Sequence, residues 1–91
     1  MLDELLILKK IKEGDIKAFE ELFRHYYFPL CCYAAGITGQ MAVAEEIVEE
    51  LFYVLWKERE RLQIFQSVKS YLYRATRNQS LQYCEHEEVR N

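Results

Sequence analysis

Two neighbouring segments of the chain carry opposite charge, and this reversal is the pattern best suited to binding chemistry. In residues 42–60 the only bases are Lys57 and Arg59, against Glu45, Glu46, Glu49, Glu50, Glu58 and Glu60. Residues 61–84 contain no acid and carry four bases, Arg61, Lys69, Arg74 and Arg77. An acidic segment suits a basic protein surface, and a basic segment suits nucleic-acid phosphates. The net charge of −3 conceals this division.

The basic segment also contains groups that could recognise unpaired bases. It is interleaved with aromatic residues, and Asn78 directly follows Arg77; the aromatics are Phe65, Tyr71, Tyr73 and Tyr83. Aromatic rings stack on bases, amides pair with base edges, and guanidinium groups bind phosphates in bidentate fashion. The pattern therefore predicts a nucleic-acid contact. The alternative is that the tyrosines belong to the core and the charges to a solvated helix face.

Catalytic and metal-binding patterns are absent from the sequence. It has no glycine-rich phosphate loop, no defensible Ser–His–Asp arrangement, and no His pair at i, i+4. A structural zinc site takes four ligands, more than Cys84 with His86 or His25 with Cys31 can supply. The Glu-x-x-His motif of carboxylate-bridged metal pairs is also missing. We expect no enzymatic activity, no cofactor and no metal.

The cysteines and the apolar segments favour a cytoplasmic location. Cys31 and Cys32 are adjacent and Cys84 is distant, which fits no disulfide framework and suits a reducing compartment. No apolar run approaches the ~18 residues of a membrane span. The first residues lack the basic start of a secretory signal. We therefore expect no membrane insertion.

The composition predicts one all-α domain over residues 1–91, a compact bundle of about four helices. Hydrophobic residues make up 51% of the chain, with only three Gly and one Pro, which disfavours a β fold rich in tight turns. The predicted helices cover about residues 2–13, 16–37, 42–61, and 67 to at least 83. Pro29 should kink or break the second helix near residues 24–28. The acidic polar tail, about residues 85–91, should fray.

Apolar spacing predicts which face of each helix is buried. On the first helix the inward residues are Leu5, Leu8 and Ile11. On the second they are Phe19, Leu22, Phe23, Tyr26, Leu30, Tyr33 and Ile37. On the third they are Ile47, Val48, Leu51, Phe52, Leu55 and Trp56, with Glu45, Glu46, Glu49 and Glu50 within an arc of about 140° on the other side. On the fourth, Val68, Tyr71, Leu72 and Ala75 should point inward, and Lys69, Tyr73, Arg77 and Gln82 outward.

Three ordered motifs carry a resemblance to a known family. They are IKEGDIKAFEELFRHYYFPL, AEEIVEELFYVLWKERERL and SVKSYLYRATRNQSLQY. Over about residues 5–84 the chain resembles region 2 of the extracytoplasmic-function type of bacterial RNA polymerase sigma factor. The resemblance implies an all-helical domain whose acidic helix docks on the β′ clamp of the polymerase core. The matching residues are Glu46, Glu49 and Glu50, with Glu45 beside them.

The resemblance also implies contact with the promoter. The link 62–66 and the next helix would bind the single-stranded non-template strand of the −10 element and help to melt it. The DNA-binding residues expected on the helix are Lys69, Arg74, Arg77, Asn78 and Gln82, and Arg61 and Phe65 join them from the start of the basic segment. Asn78 matches an Asn that often helps to capture a flipped base in this family. An anti-sigma factor is a further candidate partner.

Several features depart from the family pattern and keep alternatives open. Glu49 stands where Gln is common, and Tyr71 where Trp is common. The residues after Asn78 are less basic than in many relatives, and no region 4 follows, so we expect an excised domain. One alternative is a sigma-like protein-interaction module that has lost DNA recognition. Another is a helical bundle that oligomerises through surplus aromatic residues, Tyr26, Tyr27, Phe28 and Tyr33.

Overall fold

Four α-helices and one turn of 3-10 helix make up the described part of the chain. The computed structural model describes residues 3–64 and 67–90, with side chains up to residue 88. The helices are α1 (Glu4–Lys12), α2 (Ile16–Thr38), α3 (Met41–Lys57) and α4 (Val68–Arg90), and the 3-10 turn (Arg59–Arg61) follows α3. No strand occurs within these residues. The predicted all-α bundle of about four helices is confirmed.

Side-chain caps and one glycine define the helix ends. The Asp15 carboxylate accepts hydrogen bonds from the backbone N–H groups of Lys17 and Ala18, at 3.0 and 3.3 Å, and so begins α2. Gly39 ends α2 in the left-handed conformation (φ 78°), which glycine adopts without steric cost. Ser67 precedes α4, and its hydroxyl accepts a hydrogen bond from the Ser70 N–H at 3.2 Å, which caps this helix.

Helix α2 runs through Pro29 as one element, so of the expected kink or break, the break does not occur. Proline lacks the N–H that would bond to the carbonyl one turn earlier. The residues around it are nevertheless held by packing, because Tyr26, Leu30 and Ala34 are buried along one side of α2. Pro29 itself lies on the exposed side. Tertiary packing therefore outweighs the local preference at this position.

The predicted boundaries of α3 and α4 also need correction. Helix α3 ends at Lys57 rather than near residue 61. Just beyond this end, the Arg59 side chain donates a hydrogen bond to the Trp56 carbonyl at 2.9 Å. Helix α4 continues to Arg90, so residues 85–90 of the tail predicted to fray are helical, and Asn91 lies outside the described residues. Contacts to the end of α2 accompany this extension: the Cys84 thiol lies 3.5 Å from the Ile37 carbonyl oxygen.

The core lies where α2 packs between the other helices. Its largest fully buried members come from all four α-helices: Phe52, Ile11, Leu22, Leu30 and Leu72. Tyr26 is also buried, and its hydroxyl donates a hydrogen bond to the Glu4 carboxylate, which ties α1 to α2.

Several predicted faces are rotated from their expected positions. Leu5 is 67% exposed, and Ile7 takes its place beside Leu8 and Ile11. On α4 the buried stripe consists of Val68, Leu72, Thr76 and Ser80. Tyr71 is exposed, whereas Tyr73 is half-buried against the core, the reverse of the prediction. The stripe follows a spacing of four, which places its members on one side of the helix.

The aromatic residues expected to be in surplus are mostly absorbed by the fold. Tyr26 is 5% exposed, Tyr27 is half-buried, and the Tyr33 ring contacts Tyr73 at 5.1 Å, which leaves Phe28 as the largely exposed member at 68%. In the part of the chain that the structure describes, no helix is both long and apolar enough to traverse a bilayer.

Candidate functional site

The four predicted polymerase-binding acids divide into two pairs on α3. Glu45, Glu46, Glu49 and Glu50 are all exposed. Residues four apart share a side of a helix, so Glu45 pairs with Glu49 and Glu46 with Glu50. The first pair lies toward α2, where Glu49 meets Tyr27. The second pair lines a groove shared with α4. We call these the α2-facing pair and the groove pair.

The α2-facing pair is tied to its neighbouring helix. The Tyr27 hydroxyl donates a hydrogen bond to Glu49 Oε2 at 3.0 Å, which joins α2 to α3. Burial raises the pKa of Tyr27, and acceptance of this hydrogen bond by Glu49 raises it further. The phenol therefore stays protonated and remains a donor over the physiological range. A hydrogen bond to a carboxylate is stronger than one between neutral groups.

The same environment keeps the nearby thiol protonated. Burial raises the pKa of Cys31, partly opposed by a hydrogen bond with Tyr27, and the negative charges of Glu45 and Glu49 contribute in the same direction as burial. A protonated, buried thiol is a poor nucleophile and a poor metal ligand. Cys31 therefore acts as a packing residue of this seam.

The groove pair faces amide side chains across an open groove of about 680 Å³ between α3 and α4. Its lining residues are Glu46, Ile47, Glu50, Leu51 and Val54 from α3, and Ala75, Asn78, Gln79 and Gln82 from α4. Carboxylates only accept hydrogen bonds, whereas amides both donate and accept. The lining contains no basic residue. This groove therefore favours cationic or amine-bearing groups and disfavours bare phosphate.

Two of the predicted DNA-binding residues, Asn78 and Gln82, thus share a groove with two of the predicted polymerase-binding residues. The predicted bases of α4 are exposed and lie outside the groove lining; they are Lys69, Arg74 and Arg77. Arg61 lies at the end of the 3-10 turn, beside Glu58 at 3.6 Å. Phe65 lies outside the described residues. The structure therefore separates the predicted phosphate-binding groups from the predicted base-reading groups.

The acidic and basic helices do not neutralise each other within the described residues. The salt bridge found there joins Arg61 to Glu58, three residues apart, and both side chains are exposed. An ion pair of this kind contributes ~0–1 kcal/mol to stability. The charges of α3 and α4 are therefore presented to solvent, where partners can reach them.

Sequence reasoning missed three residues that shape this region. Tyr27 fixes Glu49, Gln79 lines the groove, and Arg59 lies over the Trp56 ring, 4.3 Å from its centroid. The spacing of Gln79 from Ala75 and Gln82 could have revealed its place in the groove. No local signal links Tyr27 to Glu49. Within the described residues, no group of three or more His, Cys, Asp or Glu side chains could hold a metal ion.

Comparison with known proteins gives one family and one solved structure. The family model described as Sigma-70 region 2 matches residues 22–88, more than half of the chain. The structure is the NMR complex of an engineered region 2 of sigmaE with GTAAAA. It superposes with a TM-score of 0.81 at 20% sequence identity, covering 98% of this chain and 93% of that one. A search of the curated proteins gave no match.

Proposed function

The chain belongs to the Sigma-70 region 2 family, and we propose that it binds RNA polymerase core and helps to recognise and melt the promoter −10 element. The family match carries this proposal, because residues 22–88 span both the acidic helix α3 and the amide-bearing and basic surface of α4. We infer that the domain is a part of a transcription initiation factor without enzymatic activity of its own. It acts in the cytoplasm, with the polymerase.

The exposed acids of α3 support docking on the β′ subunit. Glu45, Glu46, Glu49 and Glu50 lie on its outer surface, and none forms an ion pair with another described residue. Unpaired surface carboxylates attract a basic partner, speed its association and orient it. An anti-sigma factor with a basic docking surface would compete for the same acids.

The surface of α4 supports contact with an opened DNA strand. The exposed cations Lys69, Arg74 and Arg77 are suited to phosphates, and the amides of Asn78 and Gln82 to base edges. These residues lie on a packed helix, which fixes their positions better than a loop does. We propose that they bind a single-stranded oligonucleotide such as the non-template −10 strand; the sigmaE domain forms its complex with GTAAAA.

Polymerase docking is tested by reversing the charge of the groove pair. We expect Glu46→Lys with Glu50→Lys to reduce capture of RNA polymerase core by at least about tenfold, since like charges across an interface cost several kcal/mol. The matched control is Glu85→Lys with Glu88→Lys, which makes the same charge change at exposed positions of α4. Unchanged capture by the first variant would refute the docking role.

Strand recognition is tested with Asn78→Ala on a fluorescent −10 non-template oligonucleotide. We expect a loss of binding of about 1–3 kcal/mol for a base contact, and a smaller loss for Gln40→Ala, a control amide directly before α3, exposed and outside the groove lining. Equal binding by wild type and Asn78→Ala would remove Asn78 from the site.

A second candidate function is a sigma-like protein-interaction module without DNA recognition. The placement of Glu46 and Glu50 beside Asn78 and Gln82 favours it, because carboxylates next to the base-reading amides repel phosphates. Salt dependence separates the two candidates. A domain that contacts phosphates loses affinity steeply as salt rises, whereas the module would show no measurable oligonucleotide binding even at low salt.

A further inference from the structure

We propose that Tyr27 is a positioning residue, which holds the Glu49 carboxylate in the orientation that the polymerase-docking surface requires. This inference rests on the proposed function and deepens it. The Tyr27 hydroxyl lies 3.0 Å from Glu49 Oε2, and the two residues are 22 positions apart on different helices. Of the four acids Glu45, Glu46, Glu49 and Glu50, Glu49 is the one for which a side-chain hydrogen bond to a neighbouring helix is found among the described residues.

A stack of aromatic rings fixes the direction of the Tyr27 hydroxyl. The Tyr27 ring stacks on Phe23, with centroids 4.7 Å apart and an angle of 26° between the ring planes. The Phe23 ring in turn meets the edge of the buried Phe52, at 5.0 Å. Because Phe52 belongs to α3, one turn beyond Glu49, the stack and the hydrogen bond fix the same stretch of that helix from α2.

The hydrogen bond prepares Glu49 for binding rather than removing it from the surface. It uses Oε2, while the side chain remains exposed and Oε1 has no hydrogen-bond partner among the described residues. A glutamate ordered before binding loses less rotamer freedom when a basic partner docks. Glu46 and Glu50 lack such a hydrogen bond within the described residues, so their side chains would become ordered only when the partner binds.

A double-mutant cycle on binding to RNA polymerase core tests the inference. Tyr27→Phe removes the hydroxyl and keeps the ring stack. We expect it to weaken binding by about two- to tenfold in the wild-type background, the effect of freeing one flexible side chain. In the Glu49→Ala background the same substitution should have no further effect. Circular dichroism establishes that each variant is folded.

The matched control is Tyr33→Phe, on the same helix, where no hydrogen bond of the hydroxyl is found among the described residues. It should leave core binding unchanged. Equal weakening by Tyr27→Phe in both backgrounds would mean a general structural role and would overturn the inference. The inference would also be overturned if the Glu49→Ala protein bound RNA polymerase core with unchanged affinity. If these results occur while the double charge reversal at Glu46 and Glu50 still abolishes docking, the proposed function stands and only this inference fails.

Discussion

The two sides of α3 both carry glutamates but differ in the side chains of the neighbouring helix that these glutamates face. On the α2-facing side, Glu49 meets a phenol held in an aromatic stack. On the groove side, Glu46 and Glu50 face the amides of Asn78 and Gln82 across open space. One side is therefore closed and ordered, and the other is open and free to accept a ligand.

This difference separates two roles that the acidic segment suggested as one. The closed side joins α2 to α3 and presents a pre-ordered carboxylate. The open side places the proposed polymerase-binding carboxylates of Glu46 and Glu50 next to the proposed base-reading amides of Asn78 and Gln82. Three experiments test this contrast.

The largest expected effect comes from opening the closed side. Phe52→Ala removes a buried ring that contacts Phe19 and Phe23, and we expect a loss of about 3–5 kcal/mol in the free energy of unfolding. Val54→Ala on the groove side, where the residue is 43% exposed, should lose less than about 1 kcal/mol. Urea titration measures both values. Similar losses for the two variants would erase the distinction between the sides.

An intermediate effect is expected from neutralising the groove. Glu50→Gln keeps the shape of the side chain and removes a charge beside Asn78, so it should strengthen oligonucleotide binding about fivefold at low salt, corresponding to ~1 kcal/mol of relieved repulsion. Glu45→Gln, on the opposite side, should have a smaller effect. Fluorescence anisotropy measures both affinities, and added salt should reduce the difference. An equal gain from both variants would show that only net charge matters.

The smallest effect concerns alkaline pH and the closed side. The pKa of Tyr27 is raised in the folded protein, by burial first and by Glu49 second, so the unfolded chain ionises first. The stabilisation that protonated Tyr27 gives the folded protein is constant below the ordinary tyrosine pKa of about 10. It is lost as pH rises above that value. Tyr27→Phe should lower the steepness of that loss, and Tyr33→Phe should not. Urea unfolding from pH 8 to 11 checks this, and identical pH profiles for wild type and Tyr27→Phe would contradict it. Tyr26, whose pKa is also raised by burial, should leave part of the pH dependence in place.

Much of the fold could be predicted from local pattern alone. Asp15, Gly39 and Ser67 mark helix ends through interactions within a few residues. The failures came where distant packing decides. Pro29 stays inside a helix because Tyr26 before it and Leu30 after it are buried against neighbouring helices. Tyr71 is exposed and Tyr73 is half-buried, the reverse of the prediction, because the buried stripe of α4 follows Leu72, Thr76 and Ser80.

The helical class, the family motifs and the charge reversal between residues 42–60 and 61–84 follow from composition and short spacings along the chain. The hydrogen bond between Tyr27 and Glu49, and the groove that Glu46 and Glu50 share with Asn78 and Gln82, became visible only in the folded structure. The physical reason is that periodicity shows which residues share a side of one helix, whereas the packing of helices determines what each side meets.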